Sequence, residues 1–178
     1  VSEPPSASPR PTGGPEPTDQ TILPSLGPHG EGWFLLQIFA MVLVAAAGIF
    51  LGSNWTGAPR FAAAVAGGAL IAAAVALGYL GIRDLDRSLS PLPRPRDTAV
   101  LIQDGVYRRL RHPIYAAVIL LAFGWGLLMA SFVALALAAG LALLLDLKAR
   151  REEVWLRERY PGYAAYATQT RRFVPGIY

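Results

Sequence analysis

The residue types able to do polar chemistry gather in two short stretches. The first is Arg108, Arg109, Arg111 and His112, directly before Pro113 and a long apolar run. The second starts at Glu152-Glu153 and continues through Tyr163 and Tyr166 to Arg172. An Arg, Lys or Asp at the centre of a bilayer costs roughly 2.5–3.5 kcal/mol on insertion scales. Cations held at the membrane–water boundary escape that cost and still meet an anionic ligand. Proline is tolerated in the first turn of a helix, where its missing N–H would be unsatisfied anyway. Arg111-His112-Pro113 therefore reads as the entry into a membrane helix, with the basic side chains facing the aqueous side.

Several chemistries are excluded by composition. The 178-residue chain has no cysteine, hence no thiolate nucleophile, no disulfide framework and no cysteine metal site. Its two histidines, His29 and His112, are far apart, and a catalytic zinc needs three protein ligands, so no metal is expected. The positive balance is modest, 16 Lys+Arg against 12 Asp+Glu, and no nucleic-acid partner is expected. All basic residues but Lys148 are arginine, and with so much Ala and Gly this suggests a GC-rich bacterial genome.

The elements that must position these residues follow from hydropathy. The chain is 53% hydrophobic. Residues 1–32 are rich in Pro, Gly, Ser and Thr, lack the basic and apolar parts of a signal peptide, and read as a disordered tail. Residues 33–52 and 61–82 are charge-free runs long enough to cross a ~30 Å hydrocarbon core, with Trp33 suited to the interface belt. Gly48 and Gly52 in the first, and Gly67, Gly68, Gly78 and Gly81 in the second, predict close helix packing. Asn54, Gly57 and Pro59 predict a loop over 53–60. Pro91, Pro93 and Pro95 predict a loop that delivers the basic cluster.

Residues 113–147 are almost wholly apolar. One helix of that length would measure ~50 Å, so a hairpin of two short arms turning near Met129, Ala130 and Ser131 is expected. A charged helix should continue from the second arm to Pro161-Gly162. Of the 16 basic residues, 14 lie in 83–112 or 148–172, which the positive-inside rule places in the cytoplasm. The expected fold is all-α: an integral, multi-pass membrane protein with about four transmembrane helices, a short C-terminal hairpin and a cytosolic C-terminal helical segment. The domains are a tail (1–32), two N-terminal membrane helices (33–82) and a core (83–178). The site would face the cytoplasm, at a bacterial inner membrane.

Gly105-x-Tyr107-x-x-x-Arg111-His112-Pro113-x-Tyr115 resembles the signature of the isoprenylcysteine carboxyl methyltransferase family and its phospholipid N-methyltransferase relatives. Glu152-Glu153, Leu156, Tyr160, Tyr163, Tyr166, Thr170, Arg172, Phe173 and Pro175 are similar to that family's C-terminal pattern. Together they cover roughly residues 97–178. Where the family often has a glycine after the last signature tyrosine, this chain has Ala117.

The resemblance implies a membrane methyltransferase using S-adenosylmethionine. By resemblance, Tyr107, Arg111, His112, Pro113, Tyr115 and Glu152 bind the cofactor, while Arg172 and Glu153 serve catalysis, Arg172 as a candidate for orienting a substrate carboxylate. Arg and His suit the cofactor's carboxylate, Glu its ammonium, and aromatic faces its sulfonium. The acceptor would be lipid-like, drawn from among the membrane lipids, and either a carboxylate or an amine. The same residues also have plainer readings. Glu153 and Arg157 form a favourable i,i+4 pair, the arginines are topology determinants, and Tyr163 and Tyr166 are membrane anchors. An NADPH-dependent reductase of the sterol reductase type and a non-catalytic scaffold also fit the pattern. Nothing in the residues sets the oligomeric state.

Overall fold

The computed structural model describes residues 24, 26–27, 30–52, 55–85, 101–174, 176 and 178. Most of the expected tail with His29, the Pro91–Pro93–Pro95 loop and Pro175 lie outside the described residues. The fold is all-helical, in the order α1 (Glu31–Phe50), α2 (Gly57–Leu85), a 3-10 turn (Gly105–Arg108), α3 (Pro113–Leu128), α4 (Phe132–Arg159) and α5 (Tyr163–Gln169).

Three helices, α1, α2 and α4, are long and apolar enough to cross a membrane. The fourth expected span corresponds to α3, which is apolar but has only 16 residues, about 24 Å of rise. The charged helix continues from the second arm as expected: α4 runs unbroken for 28 residues from the apolar stretch into the charged one. It ends at Arg159, with Tyr160 as its cap before Pro161-Gly162. The loop expected at 53–60 is shorter, since α2 begins at Gly57. Pro59 falls in its first turn, where no backbone donor is needed. Trp33 is not an exposed belt residue: it is 4% exposed, and its indole N–H donates to the Pro24 carbonyl at 3.1 Å.

The helices pack α2 along α3, α1 along α4, and α3 against α4. Small residues set the α2–α3 distance. A Cβ on Gly67 would lie 2.7 Å from the Gly124 carbonyl oxygen, and one on Gly124 would lie 2.9 Å from the Gly67 carbonyl oxygen. The two backbones therefore touch, as small residues permit between membrane helices. Ala117 packs here too, 3.5 Å from a Cβ position on Gly78. The hairpin turns where expected. Ala130 takes a left-handed φ of 49°, and Ser131 caps α4 by accepting the Ala134 N–H at 3.2 Å. The fully buried Ser131 hydroxyl also lies 2.9 Å from the Leu51 carbonyl oxygen, pinning the turn to the end of α1. The core between α1, α3 and α4 is built on Val44, Ala122, Ala138, Leu141 and Leu145.

Candidate active site

The polar residues meet at the opposite end of the bundle from that turn. Three chain segments converge there: the stretch from Gly105 to Pro113, the last turns of α4, and the segment after α5. Gly105 starts the first with φ 59°, and a Cβ there would collide with the Asp84 carboxylate. Asp84 Oδ2 accepts the Val106 N–H at 2.8 Å, so the end of α2 holds the 3-10 turn. Tyr107, buried in that turn, donates its hydroxyl to the Gly81 carbonyl at 3.3 Å. Burial raises its phenol well above the usual range.

A short parallel pairing joins the first and last segments. Arg111 N–H donates to the Arg171 carbonyl at 2.7 Å, His112 N–H to the Arg172 carbonyl at 3.1 Å, and Arg171 N–H to the Arg109 carbonyl at 3.1 Å. Tyr166, on α5, donates its hydroxyl to the Tyr107 carbonyl at 2.7 Å. Burial pushes that phenol up to about 12, so it stays a donor throughout the usual pH range. Tyr163 is 1% exposed, its phenol is raised by burial and by Glu153, and its hydroxyl has no hydrogen-bond partner among the described residues. Neither tyrosine is an exposed anchor.

Glu153 is the centre of this end. Its side chain is 2% exposed. Arg111 Nε donates to Oε1 at 3.0 Å, His112 Nε2 lies 3.3 Å from the same oxygen, and Arg172 donates to both oxygens at 3.0 and 3.1 Å. The expected surface pair with Arg157 is present only as a 3.6 Å contact to a 54% exposed side chain. Glu153 is thus no surface helix residue. Arg111 also differs from expectation. It does not face water: its side chain is 12% exposed, and it donates to the Ala167 and Thr170 carbonyls at 2.8 and 2.6 Å. Arg172 is held by Glu153, by Asp146 at 3.0 Å and by the Tyr178 hydroxyl at 2.7 Å. These partners raise its guanidinium further above its ordinary value, Glu153 first.

Glu152 points about 100° away around α4, into a cavity of about 430 Å³. That is within the size range of small-molecule sites. Its walls include Tyr107, Arg111, His112, Pro113, Tyr115 and Glu152, all six expected for the cofactor. Tyr115 donates its hydroxyl to Glu152 Oε2 at 2.9 Å, and His112 Nδ1 lies 3.7 Å from the same oxygen. The His112 and Tyr115 rings stack at 5.2 Å. Arg172 and Glu153 stand behind this wall, joined to each other.

The cavity also has walls the sequence did not mark. Phe34 and Gln37 come from α1, Ile82 and Leu85 from α2, and Lys148 from α4. Lys148 is 1% exposed, donates to Gln37 Oε1 at 2.7 Å, and lies over the Tyr115 ring at 5.0 Å. A signal for it was present: it is the sole lysine and precedes Glu152 by four positions, hence shares its face.

The described helices form an all-helical fold with membrane-spanning lengths, and a cavity lined by Glu152, cationic side chains and aromatic rings lies at one end of the bundle. Residues 62–162 match the family model described as phospholipid methyltransferase. The match spans more than half of the chain, and the chain belongs to the phospholipid methyltransferase family. It covers the Gly105–Tyr115 signature and the paired glutamates, and it bears out the resemblance read from them. The protein is accordingly a membrane methyltransferase for lipid-like substrates. No curated protein matches the chain.

Proposed function

We propose that the chain transfers a methyl group from S-adenosylmethionine to a lipid-like acceptor at the cytosolic face of a bacterial inner membrane. The observation that carries this reading is Glu152. It is a carboxylate on a cavity wall, oriented by the Tyr115 hydroxyl at 2.9 Å and flanked by His112 at 3.7 Å.

The donor set suits the cofactor. Glu152 takes the ammonium in a charge-assisted bond, the kind that is short and strong. The Tyr107 and Tyr115 rings offer electron-rich faces to a cation. Arg111 supplies positive charge for a carboxylate, and His112 a ring nitrogen that can hydrogen-bond to it. When bound, S-adenosylmethionine supplies an electrophilic methyl group on a sulfonium. The protein need only align the acceptor with that methyl group and exclude water, and such alignment accounts for much of a barrier's reduction. No covalent intermediate on the enzyme is required. Glu153 and Arg172 act as positioning residues: their pair holds Arg111 and His112 against the cavity.

The catalytic unit is residues 83–178, with 33–82 adding the Phe34, Gln37 and Ile82 walls. The clustering of basic residues in 83–112 and 148–172 supports a cytoplasmic placement. Titration of the purified protein with S-adenosylhomocysteine, and separately with NADPH, tests the proposal. Saturable binding of S-adenosylhomocysteine alone is expected. Binding of NADPH alone, or of neither, overturns it.

A further inference from the structure

A smaller pocket, of about 260 Å³, shares only Arg111 with the cavity described above. Its other walls are Ala167, Thr170, Arg171, Arg172 and Tyr178, all from α5 and the segment after it. The charges around it do not balance. Arg111 pairs with Glu153 at 3.0 Å, and Arg172 with Glu153 and Asp146, both at 3.0 Å. Arg150 of α4 takes Asp146 as well, at 2.7 Å. Each acid is thus shared between arginines. The Tyr178 hydroxyl is saturated: it accepts from Arg150 and Arg172 and donates to Asp146. Arg171 is bonded through its backbone to Arg109 and Arg111. Its exposed side chain makes no hydrogen bond or ion pair among the described residues. The pocket therefore has an excess of positive charge and one guanidinium fork that no carboxylate of the described residues closes.

We infer that this pocket binds a phosphate-type anion in the Arg171 fork, and that the bound anion fastens the C-terminal segment onto the Gly105–Tyr115 signature. The anion is no methyl acceptor, and its binding stands whatever reaction the other cavity performs. A guanidinium matches phosphate oxygens bidentately, and Arg111 and Arg172 add a positive field that draws the anion in. The surroundings suit a lipid headgroup. Val174 is 44% and Tyr178 45% exposed, and α3 starts its apolar run at Pro113, close to Arg111. Basic clusters at the end of a membrane helix attract anionic headgroups. Free phosphate offers the same oxygens, and the test separates the two sources. The consequence for the signature follows from the backbone. Arg111 and His112 donate their N–H groups to the Arg171 and Arg172 carbonyls at 2.7 and 3.1 Å. The Phe173 ring also lies 6.1 Å from that of His112. An anion that fixes Arg171 therefore fixes the strand of chain against which His112 rests.

The test uses the full chain in a non-ionic detergent, titrated at constant ionic strength with phosphatidylglycerol, phosphatidylcholine or inorganic phosphate. Backbone hydrogen exchange is followed in peptides covering 105–115 and 165–174. Phosphatidylglycerol should slow exchange in both at least threefold and saturably. Phosphatidylcholine, whose phosphate is offset by its own ammonium, should need at least tenfold more. Protection by phosphatidylglycerol alone assigns the site to a headgroup, and equal protection by inorganic phosphate assigns it to the soluble anion. Protection by neither overturns the inference. Arg171→Gln should abolish the protection, since the backbone pairing does not depend on that side chain. Arg171→Lys, which keeps the charge without the fork, should retain protection at about tenfold higher lipid concentration. Arg108→Gln removes the same charge from an exposed arginine outside the pocket and should keep the protection in full. Equal loss in Arg108→Gln and Arg171→Gln would reduce the effect to general attraction by a basic surface and overturn the site. So would protection of 165–174 without 105–115, which would break the link to the signature.

Discussion

Arg172 grips Glu153 with two nitrogens, Nε at 3.0 Å from one carboxylate oxygen and Nη2 at 3.1 Å from the other. The pair joins the segment after α5 to the middle of a helix turn 19 residues earlier. With Arg111 on the same carboxylate, one acid organises two guanidiniums in a place nearly closed to water. Its loss is therefore a matter of folding before it is a matter of chemistry.

Glu153→Gln removes the charge and leaves two guanidiniums facing a neutral amide. Breaking a buried pair by removing one partner costs on the order of 3–5 kcal/mol. Thermal unfolding of the purified protein should show a large drop in midpoint. Arg157→Gln, which removes only the exposed 3.6 Å contact, should move it little, by roughly 0–1 kcal/mol. Equal midpoints for the two variants would show that Glu153 is not the organising acid.

Glu152→Gln is expected to fold normally and bind cofactor poorly. A hydrogen bond to a charged group contributes about 1.5–3 kcal/mol, or roughly a 10- to 150-fold loss in affinity. Calorimetric titration with S-adenosylhomocysteine measures this directly. Wild-type affinity in the variant would remove Glu152 from the cofactor site. Of the paired glutamates, one should thus fail in stability and the other in binding.

Gly105→Ala tests the turn that carries the signature. Its φ of 59° suits glycine, and a left-handed residue costs other types roughly 1–2 kcal/mol. The new methyl would in addition meet Asp84. A lowered unfolding midpoint is expected, with partial recovery in the Gly105→Ala, Asp84→Ala double variant because the collision, though not the backbone strain, is relieved. No recovery would mean that the Asp84 cap is worth more than the clash.

Orientation can be read by cysteine labelling in intact cells with a membrane-impermeant reagent. Cysteines at Arg94, outside the described residues, and at the exposed Thr168 should resist labelling. A cysteine at the exposed Thr56, beside the start of α2, should label readily. The reverse pattern would place the cavity on the outer face.

Much of this architecture was legible before any coordinates. Charge-free runs marked α1 and α2, Pro113 marked the first residue of α3, and Met129–Ser131 marked the hairpin turn, because each depends on local composition. The site was legible as a list of residues but not as a set of directions. Glu152 and Glu153 look alike in the chain, and Arg157, one helical turn after Glu153, suggested a surface pair. What decides the matter is Arg111, 42 positions away from Glu153, and Arg172, 19 away. No local pattern encodes either approach. Lys148 escaped attention for the opposite reason: beside Arg150 and Arg151 it looked like one more topology charge.

The pairing of Arg111 and His112 with Arg171 and Arg172 also has a meaning for biogenesis. Among the described residues every long apolar helix precedes residue 160, so the bundle can be inserted before the segment from Tyr163 onward has emerged. Until that segment emerges, Arg111, His112 and Glu153 lack Arg172 and the backbone partners that turn them inward. Insertion and activation are then separate events in the life of each molecule. A nascent chain is a membrane protein first, and acquires its site only when the segment carrying Arg171 and Arg172 has emerged and docked.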